Sequence, residues 1–312
     1  MISVIIASRN EPKTIGKCIK CIADKEYSGI TDPFEIIQAS PDKETLDAGL
    51  DASKELKLSP NQYIQIKDPK KGKPYALGLA LKKSKGSILI FTDGDTYLEK
   101  NAIKYLLKPF SNENIGGTTG RTVSMDSKNS LMGYWGHLLA DAAHHRRMTV
   151  MSTKKDDYHI SGKEFFPMSG YIMATRNYDF EIPSNVLSDD AYISYFIRNL
   201  GKEIAYTPNA ICYVKYPRTL NDYYKQKVRS LGGYIQLQSL GVFKRDKQSR
   251  SLGIEMKYTL FVLKYPKNLK QFLWSLLLFP IRVITWLKIF WQRVILKKDM
   301  PKSGWERIES TK

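Results

Sequence analysis

Residues 87–98 read SILIFTDGDTYL, an apolar run that stops on two aspartates, Asp93 and Asp95, with one glycine between them. Charge is costly in a buried strand, so the tip must open on solvent or on a ligand. The surrounding sequence shows what kind of strand this is. ISVIIA (2–7), FEIIQA (34–39), QYIQI (62–66) and SILIFT (87–92) are short apolar runs, and helical stretches over 12–24, 43–56, 72–84 and 99–108 alternate with them. Continuous apolar strands alternating with helices predict an α/β fold, a mostly parallel central sheet with helices on both faces. Ligands of such sheets bind beyond the carboxyl ends of the strands, where Asp93 and Asp95 stand.

Downstream the pattern loosens. A helix is predicted near 127–150, carrying AHHRR, then a strand at YIMAT (171–175) and a helix over 189–200. Two short strands, KEIAYTP (202–208) and AICYV (210–214), precede a long basic helix over 219–240. The basic stretch FKRDKQSR (243–250) is expected to separate this body from the rest. We therefore expect a domain over 1–245, dividing near residue 120, and a basic, aromatic region over 246–312.

That last region contains FLWSLLLFPIRVITWLKIFWQRVILKK (272–298). Arg282 interrupts it too early for a span of about 20 apolar residues, and Pro280 should kink or divide it. At 100° per residue Val283, Leu287, Phe290 and Val294 share one face, and Arg282, Thr285, Gln292 and Arg293 the other. Such a helix is expected to lie in a membrane interface, with Trp274, Trp286 and Trp291 at headgroup depth and cations toward anionic lipid. The alternatives are a helix packed on the protein's own core and a true span beginning near Phe272.

The 312 residues carry a formal charge of +18, which favours an anionic partner, while a hydrophobic content of 42% argues against wholesale disorder. Cys18, Cys21 and Cys212 are too few for a zinc site and fit a reducing compartment. The N-terminus MISVIIASRNE has no basic n-region and too short an apolar run for a signal peptide, and reads as a first strand. His144 and His145 are assigned no role.

Two carboxylates on an exposed tip are hard oxygen ligands, suited to Mn²⁺ or Mg²⁺ shared with a substrate phosphate. An apolar strand ending in Asp-x-Asp also opens the haloacid-dehalogenase phosphatases. Tyr97 stands where those carry Thr or Val, and the motif lies far from the start of the chain. A better match covers roughly residues 1–240. SVIIASRNE, GKPYAL, FTDGD, SGYIMATR, SDDAYISYFIRNLGKEIAYTPNA and YYKQKVRSLGG follow one another in an order that resembles family 2 glycosyltransferases, whose fold is called GT-A.

The resemblance implies an inverting, membrane-associated enzyme with a nucleotide-sugar donor, whose catalytic domain has a nucleotide-binding half over about 1–120 and an acceptor half over about 121–245. It implies Asp95 as direct ligand of Mn²⁺ or Mg²⁺, with Asp93 supporting the ribose or the metal's surroundings. Ala7, Arg9, Glu11 and Lys73 would line the nucleotide pocket, and Gln226 and Arg229 would clamp the diphosphate. Asp190 would be the general base that deprotonates the acceptor hydroxyl. Read without the resemblance, Ser188, Asp189 and Asp190 are good residues for a helix N-terminus, and Arg229 sits on a basic helix face.

Two departures stand out. Gln38, Ala39 and Ser40 occupy the place where the family usually shows adjacent acids, one of which contacts the base. The next acid is Asp42, which leaves the base contact and the choice between uridine and guanosine open; a UDP-sugar is the favoured donor and GDP-mannose the alternative. Ser230 stands where processive members carry Trp, which argues for a single transfer. The expected acceptor is lipid-linked, a polyprenyl phosphate or a lipid-linked saccharide, or else a glycolipid, met at the cytoplasmic face of the membrane by a peripheral protein. The rival is a non-catalytic basic protein on the same fold, binding membrane or nucleic acid. No nucleic-acid recognition motif is present, and no nucleic-acid partner is expected.

Overall fold

The structure is a computed structural model describing residues 1–151, 153–243, 253, 258–291 and 309–311. The strands are β1 (Ile2–Ala7), β2 (Phe34–Ser40), β3 (Tyr63–Lys67), β4 (Ile88–Asp93), β5 (Tyr97–Leu98), β6 (Ile115–Ser124), β7 (Thr153–Lys155), β8 (Tyr158–Ile160), β9 (Met173–Arg176) and β10 (Glu203–Val214). The α-helices are α1 (Ile15–Ala23), α2 (Lys25–Ser28), α3 (Lys43–Glu55), α4 (Lys73–Leu81), α5 (Ala102–Leu107), α6 (Leu131–Val150), α7 (Asp189–Asn199), α8 (Leu220–Ser239), α9 (Thr259–Lys264) and α10 (Leu269–Phe290).

All the strands belong to one sheet, in the order β3-β2-β1-β4-β9-β6-β10-β8-β7, with β5 paired to β10. The run β3-β2-β1-β4 is parallel, and Ile5 of β1 lies opposite Ile37 of β2 and Phe91 of β4. The apolar runs are continuous because both faces are covered. Val4 and Ile6 pack into a core with Ile15, Ile19 and Ile22 of α1, whereas Ile5 packs the other way, with Leu77 of α4 and Ile193 of α7.

The second half differs in detail from the sequence expectation. β9 is inserted antiparallel between β4 and β6. The β7–β8 hairpin lies in a stretch that the sequence left unread. The two short strands expected at 202–214 are one strand, β10, whose register against β6 slips between Thr207 and Ile211. Pro208 sits in that slip, where its missing N–H removes no ladder bond.

Helix α10 also runs through Pro280 without being divided. Its inner side is held by the body. Leu278 is buried with Tyr134, Trp135 and Leu138 of α6 and Tyr223 of α8, and the Trp135 indole N–H donates to the Trp274 carbonyl at 2.8 Å. The basic stretch 244–250 and the positions of Gln292, Arg293 and Val294 lie outside the described residues. Among the described residues no helix is long and apolar enough to cross a membrane.

Candidate active site

At the carboxyl ends of β1–β4 lies a cavity of about 380 Å³. Ala7, Arg9, Glu11, Lys73, Asp93, Asp95, Asp190, Gln226 and Arg229 all line it, so the structure brings every candidate side chain to one place.

Local hydrogen bonds fix the two aspartates. After β4 the chain turns sharply: the Thr96 hydroxyl and amide donate to the Asp93 carbonyl at 2.8 and 3.3 Å. The intervening Gly94 is needed because a Cβ there would lie 2.4 Å from the Glu11 carboxylate. Glu11, itself buried, is anchored by its amide donating to the Thr45 hydroxyl at 2.8 Å. The carboxylates of Asp93 and Asp95 thus face a polar cavity next to a third acid. Two carboxylates completed by phosphate oxygens and water suit Mg²⁺ or Mn²⁺, which dehydrate reluctantly; among the described residues no group of three His, Cys, Asp or Glu side chains could hold a metal unaided.

Lys73 joins the two halves of the cavity. Gly72, at φ +102°, takes a conformation open to glycine, and so starts α4 with Lys73 as its first residue. The Lys73 ammonium donates to Asp93 Oδ1 at 2.5 Å and stands 3.8 Å from Asp189 Oδ2. Burial works against its charge, but Asp189 and Asp93 outweigh burial and hold it well above the usual lysine range. Burial pushes the Asp189 carboxyl up, against the pull of Lys73.

Asp190 is held differently. Ser188, just before α7, sends its hydroxyl to Asp190 Oδ1 at 2.7 Å and makes no side-chain cap bond. The Ala191 amide donates to the same oxygen at 2.8 Å, and the Gly170 amide approaches Oδ2 at 3.4 Å. One carboxylate oxygen is therefore fixed, and the other faces the chain at Gly170, on the cavity wall.

Helix α8 supplies Gln226, Lys227, Arg229 and Ser230 to the wall opposite, while its buried Leu231, Tyr234 and Leu237 set the helix's rotation. Sequence reading missed Asp68, Asp189 as a partner of Lys73, and Arg147 of α6. Arg147 is buried at the cavity, its guanidinium 4.8 Å from the Phe166 ring centre and donating to the Pro167 carbonyl at 3.0 Å. AHHRR gave no sign of which cation turns inward; helical spacing from the buried Gly133, Gly136 and Ala140 is the signal that was there. His144 and His145 are packing residues. His144 Nδ1 lies 2.6 Å from the Tyr206 hydroxyl, and His145 stacks on Phe261 at 4.7 Å.

A doubly covered sheet with a charged cavity at its strand tips and an antiparallel strand in its middle is the GT-A class of fold. The mannosyltransferase PcManGT from Pyrobaculum calidifontis, solved with GDP-Man and Mn²⁺, superposes on 97% of this chain and 77% of its own at a TM-score of 0.55 and 15% identity. The model of the glycosyltransferase-like family 2 matches residues 1–233, and the chain belongs to that family. Among curated relatives, a probable glycosyltransferase, YdaM, of Bacillus subtilis is 23% identical over 80% of this chain and 59% of its own length. A poly-beta-1,6-N-acetyl-D-glucosamine synthase of Staphylococcus epidermidis is 22% identical over 75% of this chain and 54% of its own. The chain spans little more than half the length of these relatives.

Proposed function

We propose that the protein is a metal-dependent, inverting glycosyltransferase that moves a sugar from a nucleotide-sugar donor, a UDP-sugar before GDP-mannose, to a lipid-linked acceptor. The observation that carries this is one cavity lined by Asp93, Asp95 and Asp190, with Lys73 paired to Asp93 and standing 3.8 Å from Asp189, the neighbour of Asp190. Inverting transfer is a single displacement. The acceptor oxygen attacks the anomeric carbon as Asp190 takes its proton. The bond from that carbon to the donor phosphate breaks, and its electron pair leaves with the nucleoside diphosphate. Arg229 and Gln226 are placed on α8 to meet the charge that grows on the leaving group. A divalent ion held by Asp95, with Asp93 beside it, would supply Lewis-acid neutralisation of the diphosphate. Replacing Asp190 by Asn tests the assignment: transfer should collapse while UDP binding persists, and a variant as active as wild type removes Asp190 from the mechanism.

The location of the acceptor is read from α10. Its outward side exposes Leu269, Leu273, Leu276, Leu277, Val283, Ile284 and Leu287, each at least 40% accessible. Of the expected polar face, the described residues Arg282 and Thr285 are half-buried and buried. Both line a small cleft against Tyr223, Lys227 and Leu231 of α8. Trp274 packs on Tyr134 at 5.8 Å between ring centres, while Trp291 is exposed. Between Glu255 and Asp299 every charged residue is Lys or Arg. An apolar face in a setting without acids suits an anionic bilayer surface, and an acceptor with a lipid tail would be met there, at the cytoplasmic face. Flotation of the full chain on anionic liposomes is expected, and its loss in the double variant Leu273→Glu, Leu277→Glu. A double variant that floats like wild type overturns this use of α10.

A further inference from the structure

The place where related sequences put a base-contacting acid is closed in this protein. Gln38 is fully buried; its amide donates to the Ser8 hydroxyl at 3.2 Å and the Thr45 carbonyl at 3.0 Å, and its oxygen accepts from the Tyr63 hydroxyl. Ala39 and Ser40 are buried as well, and none of the three lines the cavity. Asp42 is engaged elsewhere: its Oδ1 accepts from the Asn10 amide at 2.8 Å, which holds the loop after β1 where Asn10 turns at φ +53°. Asp42 does not line the cavity either.

Asp68 does. It follows β3 directly, is buried to 6% accessibility, and lines the cavity together with Pro41 and Lys70. Its amide donates to the Ser40 carbonyl at 3.1 Å, so the residue is pinned to the end of β2. Its Oδ1 accepts from the Lys70 amide at 2.8 Å, and among the described residues Oδ2 has no hydrogen-bond partner. The Arg9 side chain is close enough to act on its charge, against the burial that raises the Asp68 carboxyl. Neighbouring strands lie about 4.8 Å apart, so the three steps from β4 to β3 separate the aspartate tip from Asp68 by about 14 Å. A nucleoside diphosphate with its phosphates at Asp95 extends its base in that direction along the cavity.

We infer that Asp68 is the residue that selects the donor's base, and that it selects uracil through the ring N3–H. This rests on the glycosyltransferase reading of the cavity. A carboxylate accepts and cannot donate, so it favours bases with a ring N–H, uracil and guanine, over cytosine and adenine, whose corresponding ring nitrogen accepts. Uracil presents one N–H flanked by two carbonyl oxygens. That edge matches one carboxylate oxygen beside a guanidinium. Guanine presents a second donor, its amino group, where uracil has a carbonyl oxygen, and beside Arg9 a donor meets a cation that only an acceptor can pair with.

The test is a titration of the full chain with Mn²⁺ and four probes: UDP, CDP, GDP and N3-methyl-UDP. Wild type should bind UDP about 10- to 100-fold more tightly than CDP or N3-methyl-UDP, the range of one hydrogen bond to a charged group. Asp68→Asn should shift the UDP-to-CDP ratio toward CDP by at least about 10-fold, because an amide can donate to the cytosine ring nitrogen. The ratio cancels any general effect of removing a negative charge near a diphosphate. Wild type that binds UDP and N3-methyl-UDP equally overturns the inference without recourse to a variant. So does preference for GDP, or an unchanged ratio in Asp68→Asn. Failure of every nucleotide to bind overturns the transferase reading itself.

Discussion

The cavity at the strand tips and the outer face of α10 are built in opposite ways. The cavity gathers charge inside an apolar frame, and four of its acids have stated anchors: Lys73 on Asp93 and Asp189, Ser188 on Asp190, Lys70 on Asp68. The α10 face gathers exposed leucines in a stretch free of acids, and its anchoring is all on the reverse side, against α6 and α8. Buried charge is thus fixed by partners within the chain, whereas exposed apolar surface calls for a partner outside it. Substitutions in the cavity should change chemistry or stability, and substitutions on the outer face should change location alone.

The largest effect is expected at Asp190. Asp190→Asn should cut transfer by about 10²- to 10⁴-fold, the usual worth of a positioned base, measured as UDP release with a membrane-lipid extract as acceptor, with UDP affinity kept. Lys73→Met comes next. It leaves Asp93 and Asp189 facing each other without their shared cation, and denaturant unfolding should show a loss of about 3 kcal/mol together with weakened nucleotide binding. The double variant Leu273→Glu, Leu277→Glu should lose liposome flotation, while its unfolding free energy stays within about 0.5 kcal/mol per exposed site.

The smallest effect concerns His144. Burial first, and then the Arg121 and Arg147 cations, lower its pKa from 6.5 to about 4. A depressed folded-state pKa contributes stability that is present above 6.5 and is lost as the pH falls toward 4. His144→Gln should therefore show a shallower fall in melting temperature across that window. An identical slope would mean that α6 tolerates the charged imidazole.

Much of this contrast was legible in the sequence, and unequally so. Strands buried on both faces read as unbroken apolar runs, which is why β1, β2 and β4 and their tips stood out. The direction of β9 was not legible, since orientation is decided by which neighbours a strand pairs with. The hairpin β7–β8 has charged residues in place of an alternating pattern, with Asp156 in its turn at φ +53°. Pro208 made one strand look like two. The helical wheel correctly grouped Val283 with Leu287 on an exposed face, but it left Arg282 and Thr285 on a free polar face because a wheel cannot know that α8 lies alongside. Every cavity residue that the family resemblance implied does line the cavity. Asp68 was missed because nothing in a single sequence tells an inward-turned charge on a loop from a solvated one, and Arg147 because its helical spacing from Gly133, Gly136 and Ala140 went unused.

The most direct test of the central claim is a calorimetric titration of the full chain with UDP, in Mn²⁺ and in EDTA, for wild type and Asp95→Asn. The account predicts that wild type binds UDP in Mn²⁺, and that either EDTA or the loss of the Asp95 carboxylate weakens binding by at least about 10-fold, or about 1.4 kcal/mol. Binding that is absent in Mn²⁺, or equally strong in all four cases, would contradict a metal held at Asp93 and Asp95 and a diphosphate held by that metal.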